Sequence, residues 1–175
     1  MKRAFIAVDL VNDFVTGRFG SAKAVQVAER AAELLGKISG REEIIFTLDT
    51  HIPNDPEFRV WGEHCLIGTE QSELYPPLEG IVGYRIRKRH YDAFFQTDLD
   101  GYLRARDITD LVIFGISSDI CVQHTCAGAF FNNYRAVVVE DLCAAIDQGH
   151  HLEAMKFIQR NYGFQAVDSI SVFRR

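Results

Sequence analysis

Cys121 is the residue around which chemistry can be organised. It lies in the stretch LVIFGISSDICVQHT (Leu111–Thr125), where a short apolar run breaks at Gly115 and is followed by Ser117, Ser118 and Asp119. The run reads as a buried strand and the three polar residues as helix N-caps, which puts Cys121 in the first turn of a helix. Unpaired backbone N–H groups and the positive end of the helix dipole lower a thiol's pKa there and favour the nucleophilic thiolate. The same N–H groups could hold the oxyanion that forms when a thiolate attacks a carbonyl. A packed structural cysteine is the alternative for any cysteine that follows a strand.

A thiol nucleophile needs a base and a counter-charge. Asp9 follows the apolar run Ala4–Val8, a poor place for a carboxylate unless it is paired. It is the candidate general base and acid, with capping of the loop Val11–Phe14 as its ordinary alternative role. Lys88 shares the parity of Tyr84 and Ile86 in a short strand pattern. Between a carboxylate and a thiol, a lysine would hold both as anions and position them. Its neighbours Arg85, Arg87 and Arg89 read as solvated. A second constellation is Asp49, His51 and His64: an Asp-x-His at a strand end puts two ligands on one side of an extended chain. A third nitrogen from His64 would complete a facial set with open positions, as in a catalytic zinc or iron site. A hydrogen-bonded Asp49–His51 pair, with His64 on the loop surface, is the alternative.

The elements that must position these groups alternate along the chain. Strand patterns occur at Ala4–Asp9, Glu43–Asp49, Tyr84–Lys88, Asp110–Gly115, Ala136–Val139 and Phe164–Val167, apolar on both faces where central. Between them lie helical patterns: Ala22–Ile38, amphipathic with Gly40 just beyond its end, then Asp98–Arg106, Asp119–Asn132 and Asp147–Tyr162. Six strands alternating with helices predict a three-layer, doubly wound α/β fold, its mainly parallel sheet covered by helices on both faces. The segment Thr50–Gly83 departs from regular structure, and a loop of that length is functional or carries short helices of its own. Ligands of open parallel sheets bind beyond the carboxyl ends of the strands. Asp9, Asp49 with His51, Lys88 and Cys121 all fall at such ends. No G-x-G-x-x-G fingerprint is present, which argues against a dinucleotide.

At 175 residues the chain is long enough for one domain, 1–175, with a sizeable core. A net charge of −5 without a long basic run gives no reason to expect nucleic acid. No apolar stretch approaches membrane-spanning length, and Ala4–Val8 is too short for the apolar core of a signal peptide. Four cysteines without a C-x-x-C pair favour a reducing compartment, so the expected location is cytoplasmic. Assembly into a homo-oligomer is left open by the sequence.

VDLVNDF (8–14), TLDTHIPNDPEF (47–58), VWGEHCLIGTEQSEL (60–74), KRHYDAF (88–94) and GISSDICV (115–122) together resemble the isochorismatase-like cysteine hydrolases, and within them the nicotinamidase/pyrazinamidase group. The resemblance implies a doubly wound parallel sheet and a catalytic triad of Asp9, Lys88 and Cys121. It implies a cis peptide at Ile116–Ser117, which turns the Ser117 N–H towards the oxyanion beside that of Cys121. It further implies one divalent ion, zinc or else iron or manganese, on Asp49, His51 and His64; Glu57 or Glu63 could supply a further ligand, a choice the sequence leaves open. Phe14 and Trp61 match the aromatic clamp that sandwiches a flat pyridine ring, so the substrate implied is a small carboxamide. Isochorismatases proper typically lack these metal ligands. Val11 stands where nicotinamidases usually have glutamine, and VWGEHC replaces a proline-rich approach to the histidine. Two other readings remain at this stage: hydrolysis of another small amide or ureido compound, and a non-catalytic flavodoxin-like binding domain in which Cys121 is merely packed.

Overall fold

The computed structural model describes residues 2–173. Six strands, β1 (Lys2–Val8), β2 (Glu43–Asp49), β3 (Tyr84–Lys88), β4 (Ile108–Ile116), β5 (Arg135–Ala144) and β6 (Gln165–Val167), form one sheet in the order β3-β2-β1-β4-β5-β6. All five pairings are parallel, so the sheet expected to be mainly parallel is wholly so. Its central strands are apolar on both faces: Phe5, Ile6, Ile45, Phe46, Ile113 and Phe114 are all fully buried. The chain moves outward from β1 to β2 in one direction and from β4 to β5 in the other. Right-handed crossovers therefore put helix α1 (Ala22–Ile38) on one face and α2 (Leu99–Arg104), α3 (Gln123–Phe131) and α4 (Gln148–Tyr162) on the opposite one. A terminal helix, α5 (Ser169–Phe173), sets Phe173 against Phe5 and Phe114, at ring-centroid distances of 5.0 and 6.4 Å.

The strand order reverses between β1 and β4, and a crevice opens beyond their carboxyl ends. Gly115 makes the close approach there. Its φ is +136°, and a Cβ at this position would run into the Val8 carbonyl, so only glycine fits. The register of β4 on β5 shifts past Ile113, and Gly115 pairs with Cys143. This irregularity carries β5 on to Ala144, beyond the Val139 end that the apolar run suggests.

The helix expected over Asp119–Asn132 is two pieces. The first, Ser118–Val122, is a wide turn in which the Val122 N–H donates to the Ser117 carbonyl five residues back, at 3.0 Å; α3 follows it. The long segment after β2 has a helical turn at Phe58–Trp61 and tight turns at Glu70–Ser72 and Pro76–Leu78. It is tied over the ends of β1 and β2. The Tyr75 N–H donates to Leu10 (2.9 Å), the Asn12 N–H to Glu73 (3.0 Å), and His51 exchanges backbone bonds with Cys65 and Ile67 (2.8 Å each). Among the described residues, no helix is long and apolar enough to cross a membrane.

Candidate active site

Asp9, Lys88 and Cys121 meet at the crevice. Asp9 comes directly after β1 with φ +50°, a turn held by its N–H, which donates to the Thr47 carbonyl at 3.1 Å. The Thr47 hydroxyl donates to Asp9 Oδ1 at 2.7 Å. Lys88, the last residue of β3, is buried; its Nζ lies 2.7 Å from Asp9 Oδ2, 3.3 Å from Asp49 Oδ1 and 3.6 Å from Cys121 Sγ, and donates to the His90 carbonyl at 2.9 Å. One ammonium thus touches both carboxylates and the thiol.

Burial sets the electrostatics. It raises the pKa of the Asp9 carboxyl, which Lys88 opposes and Asp49 reinforces. It disfavours a charge on Lys88, but the surrounding Asp9, Cys121 and Asp49 hold the ammonium well above its ordinary pKa. Burial also pushes the Cys121 thiol well above its usual value; Lys88 opposes this, and Asp9 and Asp49 add to it. The depressed thiol expected at a helix start is therefore not found. Cys121 sits inside a buried turn beside two carboxylates, and desolvation outweighs the backbone dipoles. At rest the site holds a charged Lys88 and a neutral thiol.

The Ile116–Ser117 peptide is cis, and Ser117 and Cys121 both line the pocket above the triad. Burial raises the pKa of the other three cysteines too: Cys65, Cys126 and Cys143 are free and buried, with no contact to Lys88 of the kind Cys121 makes.

Asp49, His51 and His64 are also buried together. Asp49 Oδ2 is 3.0 Å from His51 Nε2 and 3.5 Å from His64 Nε2, and one ligand atom of each residue lies within 4.8 Å of the others. The His64 Nδ1 lies 2.8 Å from the Gly62 carbonyl; with the proton assigned there, Nε2 keeps its lone pair for a ligand. His51 Nδ1 lies 3.2 Å from the buried Asp55 carboxylate. Burial would raise the Asp49 carboxyl, but Lys88 first, and then His51 and His64, hold it well below the usual carboxylate range. Two imidazoles and one ionised carboxylate, each anchored from behind, fit a zinc, iron or manganese ion. Glu57 Oε1 stands 3.8 and 3.9 Å from the two Nε2 atoms, whereas Glu63 is exposed.

A narrow pocket opens over both groups. Phe14, Phe19, Trp61 and Tyr91 are its aromatic lining and Ile116, Ile120 and Ile146 its aliphatic lining, and no Arg or Lys is among the described lining residues. The Trp61 indole N–H donates to the Tyr91 hydroxyl at 2.9 Å, which fixes the ring at the mouth.

Phe14, Asp49, Glu57, Trp61, His64, Ser117 and Cys121 line one crevice, with Asp9, Lys88 and His51 in contact with them and Glu63 outside it; several supporting residues carry little signal in the sequence. Arg89 is not simply solvated: its Nε and Nη2 donate to Asp55 Oδ2 at 3.2 and 3.0 Å, bracing the carboxylate behind His51. Arg87 is an exposed surface pair with Glu73, and Arg85 donates to the Glu79 carbonyl. Asp13 is buried and accepts the Cys65 N–H at 2.7 Å, pinning the chain beside His64 to the loop after β1. Its only signal in the sequence is an acidic residue amid an apolar stretch. Nothing marks Thr47, Phe19 or Tyr91 as site residues until the loops are placed.

An isochorismatase domain model matches residues 3–169. The chain belongs to the isochorismatase family. It is 32% identical to the uncharacterized isochorismatase family protein PncA of Bacillus subtilis (strain 168), over 96% of this chain and all of that one. Among solved structures it is similar to N-carbamoylsarcosine amidase from Thermoplasma acidophilum, with 35% identity, 97% of each chain covered and a TM-score of 0.88. It is also similar to nicotinamidase/pyrazinamidase PncA from Bacillus subtilis, at 30% identity over 96% of this chain and all of that one, with a TM-score of 0.86. Sheet order and helix placement agree with the fold that these relatives share. The chain is a hydrolase of this family, and the proteins that it resembles include an N-carbamoylsarcosine amidase and a nicotinamidase/pyrazinamidase.

Proposed function

We propose that the chain is a cysteine amidohydrolase of the nicotinamidase type, converting nicotinamide, and pyrazinamide likewise, to the acid and ammonia through a thioester on Cys121. The observation that carries this reading is the Asp49–His51–His64 set opening into an aromatic pocket that has no Arg or Lys in its described lining. A neutral flat ring suits those aromatic walls. Bound by Asp49, His51 and His64, a divalent ion would supply a Lewis-acid contact for the ring nitrogen, a positioning role.

The remaining chemistry belongs to this chain's own residues. Asp9, whose carboxyl burial makes more basic, takes the Cys121 proton as Sγ attacks the carboxamide carbon. The Ser117 and Cys121 N–H groups receive the developing oxyanion. The C–N bond then breaks, Asp9 returns the proton to the departing nitrogen, and ammonia leaves. Water, deprotonated by Asp9, cleaves the thioester; the acid departs and the Cys121 thiol is restored. Lys88 remains an ammonium throughout and stabilises whichever of its neighbours carries the negative charge.

Similarity to N-carbamoylsarcosine amidase supports a second reading, hydrolysis of a ureido compound. Ammonia release from nicotinamide, pyrazinamide, benzamide and N-carbamoylsarcosine separates the two. The nicotinamidase reading requires fast turnover of the first two and slow turnover of benzamide, which lacks the ring nitrogen. Faster turnover of N-carbamoylsarcosine would replace it with the ureido reading.

A further inference from the structure

We infer that the start of α4 acts as a brace that positions the turn carrying Ser117 and Cys121. Ser117, Ser118 and Asp119 look like helix caps, but their side chains are engaged by Ile146, just before α4, and by His150 and His151 in its first turn. The Ile146 N–H donates to Ser117 Oγ at 3.2 Å, and the Ser117 hydroxyl donates to Asp119 Oδ1 at 2.5 Å. Asp119 Oδ2 is 3.3 Å from His150 Nδ1, and Ser118 Oγ is 2.8 Å from His151 Nδ1. Three consecutive residues of one turn are therefore each held by a residue of one short segment. Ser118 is fully buried, and His151 is the side-chain partner its hydroxyl has. Ile146 also lines the pocket, so the same segment forms a wall of the site.

The inference rests on the proposed reaction only in that it names the braced N–H groups as oxyanion donors; the contacts themselves do not depend on it. With the proton placed on Nε2, the neutral His151 ring accepts the Ser118 hydroxyl proton at Nδ1. Burial lowers its pKa and so favours that form; the charged groups facing it are Glu140, with Oε1 3.9 Å from Nε2, Lys23 and Asp119. Lys23 favours the neutral ring, whereas Glu140 and Asp119 favour the charged one. His151 touches no reacting atom and is a positioning residue.

The test uses the full chain with His151→Ala and His151→Asn, since the Asn carbonyl can replace Nδ1 as acceptor. Amide hydrogen exchange is followed residue by residue, together with kcat and KM for nicotinamide. In His151→Ala, protection of the Ser118–Val122 amides should fall on the order of tenfold, the worth of one buried hydrogen bond. The β1 and β4 amides should keep theirs, kcat should drop with KM nearly unchanged, and Asn should restore both. Unchanged protection in the turn, an equal loss throughout the sheet, or failure of Asn to restore would overturn the brace. If the wild type hydrolyses no amide, the functional reading falls while the exchange data still decide this one.

Discussion

Lys88→Met removes the single charge that holds the site together while keeping a side chain of similar length. The ammonium is buried, 2.7 Å from Asp9 Oδ2 and 3.3 Å from Asp49 Oδ1. Without it, Asp9 faces Asp49 with no counter-charge of its own, and removal of one partner from a buried ion pair costs about 3–5 kcal/mol. That is a large part of the roughly 5–15 kcal/mol that holds a domain folded. Asp9 is the group that can relieve the strain, because burial already raises its pKa and Lys88 is the strongest influence against that rise. With Lys88 gone, the folded pKa of Asp9 moves further above its unfolded value of about 4. A raised folded pKa gives stability that is present below the unfolded pKa and is lost as pH rises through the folded one. The deficit of the variant should therefore be small near about pH 4 and grow towards neutrality by at most about 1.4 kcal/mol per pH unit, levelling off near 3–5 kcal/mol. Urea denaturation of both proteins across this range measures it. A deficit that does not vary with pH, or one below about 1 kcal/mol at neutral pH, would refute the assignment of Lys88 as the shared counter-ion.

Three further perturbations address the scaffold and the metal site. Gly115→Ala forces a Cβ into the Val8 carbonyl at φ +136°, and should cost about 3 kcal/mol or more, a fall in Tm on the order of 6–12 °C by calorimetry. Asp13→Ala strands the Cys65 N–H next to His64; stability should fall by about 1–3 kcal/mol and zinc affinity, by titration calorimetry, by about 10–100-fold. Chelation, or His51→Ala, should abolish nicotinamide turnover yet leave Cys121 open to alkylation by iodoacetamide; full activity after chelation would remove the positioning role given to the ion.

The sequence was most informative where local pattern and fold agree. Helix α1 begins and ends at Ala22 and Ile38 as its periodicity indicates, with the Ala24 N–H donating to Ser21 Oγ at 3.0 Å as its N-cap. Strands β2 and β3 likewise match their apolar runs. The candidate site was legible because a parallel sheet gathers the carboxyl ends of its strands at one edge, so residues far apart in the chain could be collected by position alone. What was not legible depends on which loops meet. Arg89 reads as solvated until Asp55 is found beside it, and Asp13 reads as a loop residue until the Cys65 N–H arrives. The wide turn at Ser118–Val122, whose Ser118 and Asp119 side chains meet α4, is announced by no local signal. The sign of the Cys121 shift was reversed for the same reason: a helix start is visible in sequence, whereas complete desolvation beside Asp9 and Asp49 is a property of the assembled core.

Covalent capture on Cys121 bears most directly on whether this site is a cysteine amidohydrolase. The purified protein, loaded with zinc, is mixed with nicotinamide, quenched with acid during turnover and digested for mass spectrometry. A nicotinoyl group should be found on the peptide carrying Cys121, absent from those carrying Cys65 and Cys143, and localised by fragmentation to Cys121 rather than Cys126. It should disappear in Cys121→Ala together with ammonia release. Sustained ammonia release by Cys121→Ala, or the acyl group on any of the other three cysteines, would contradict the mechanism.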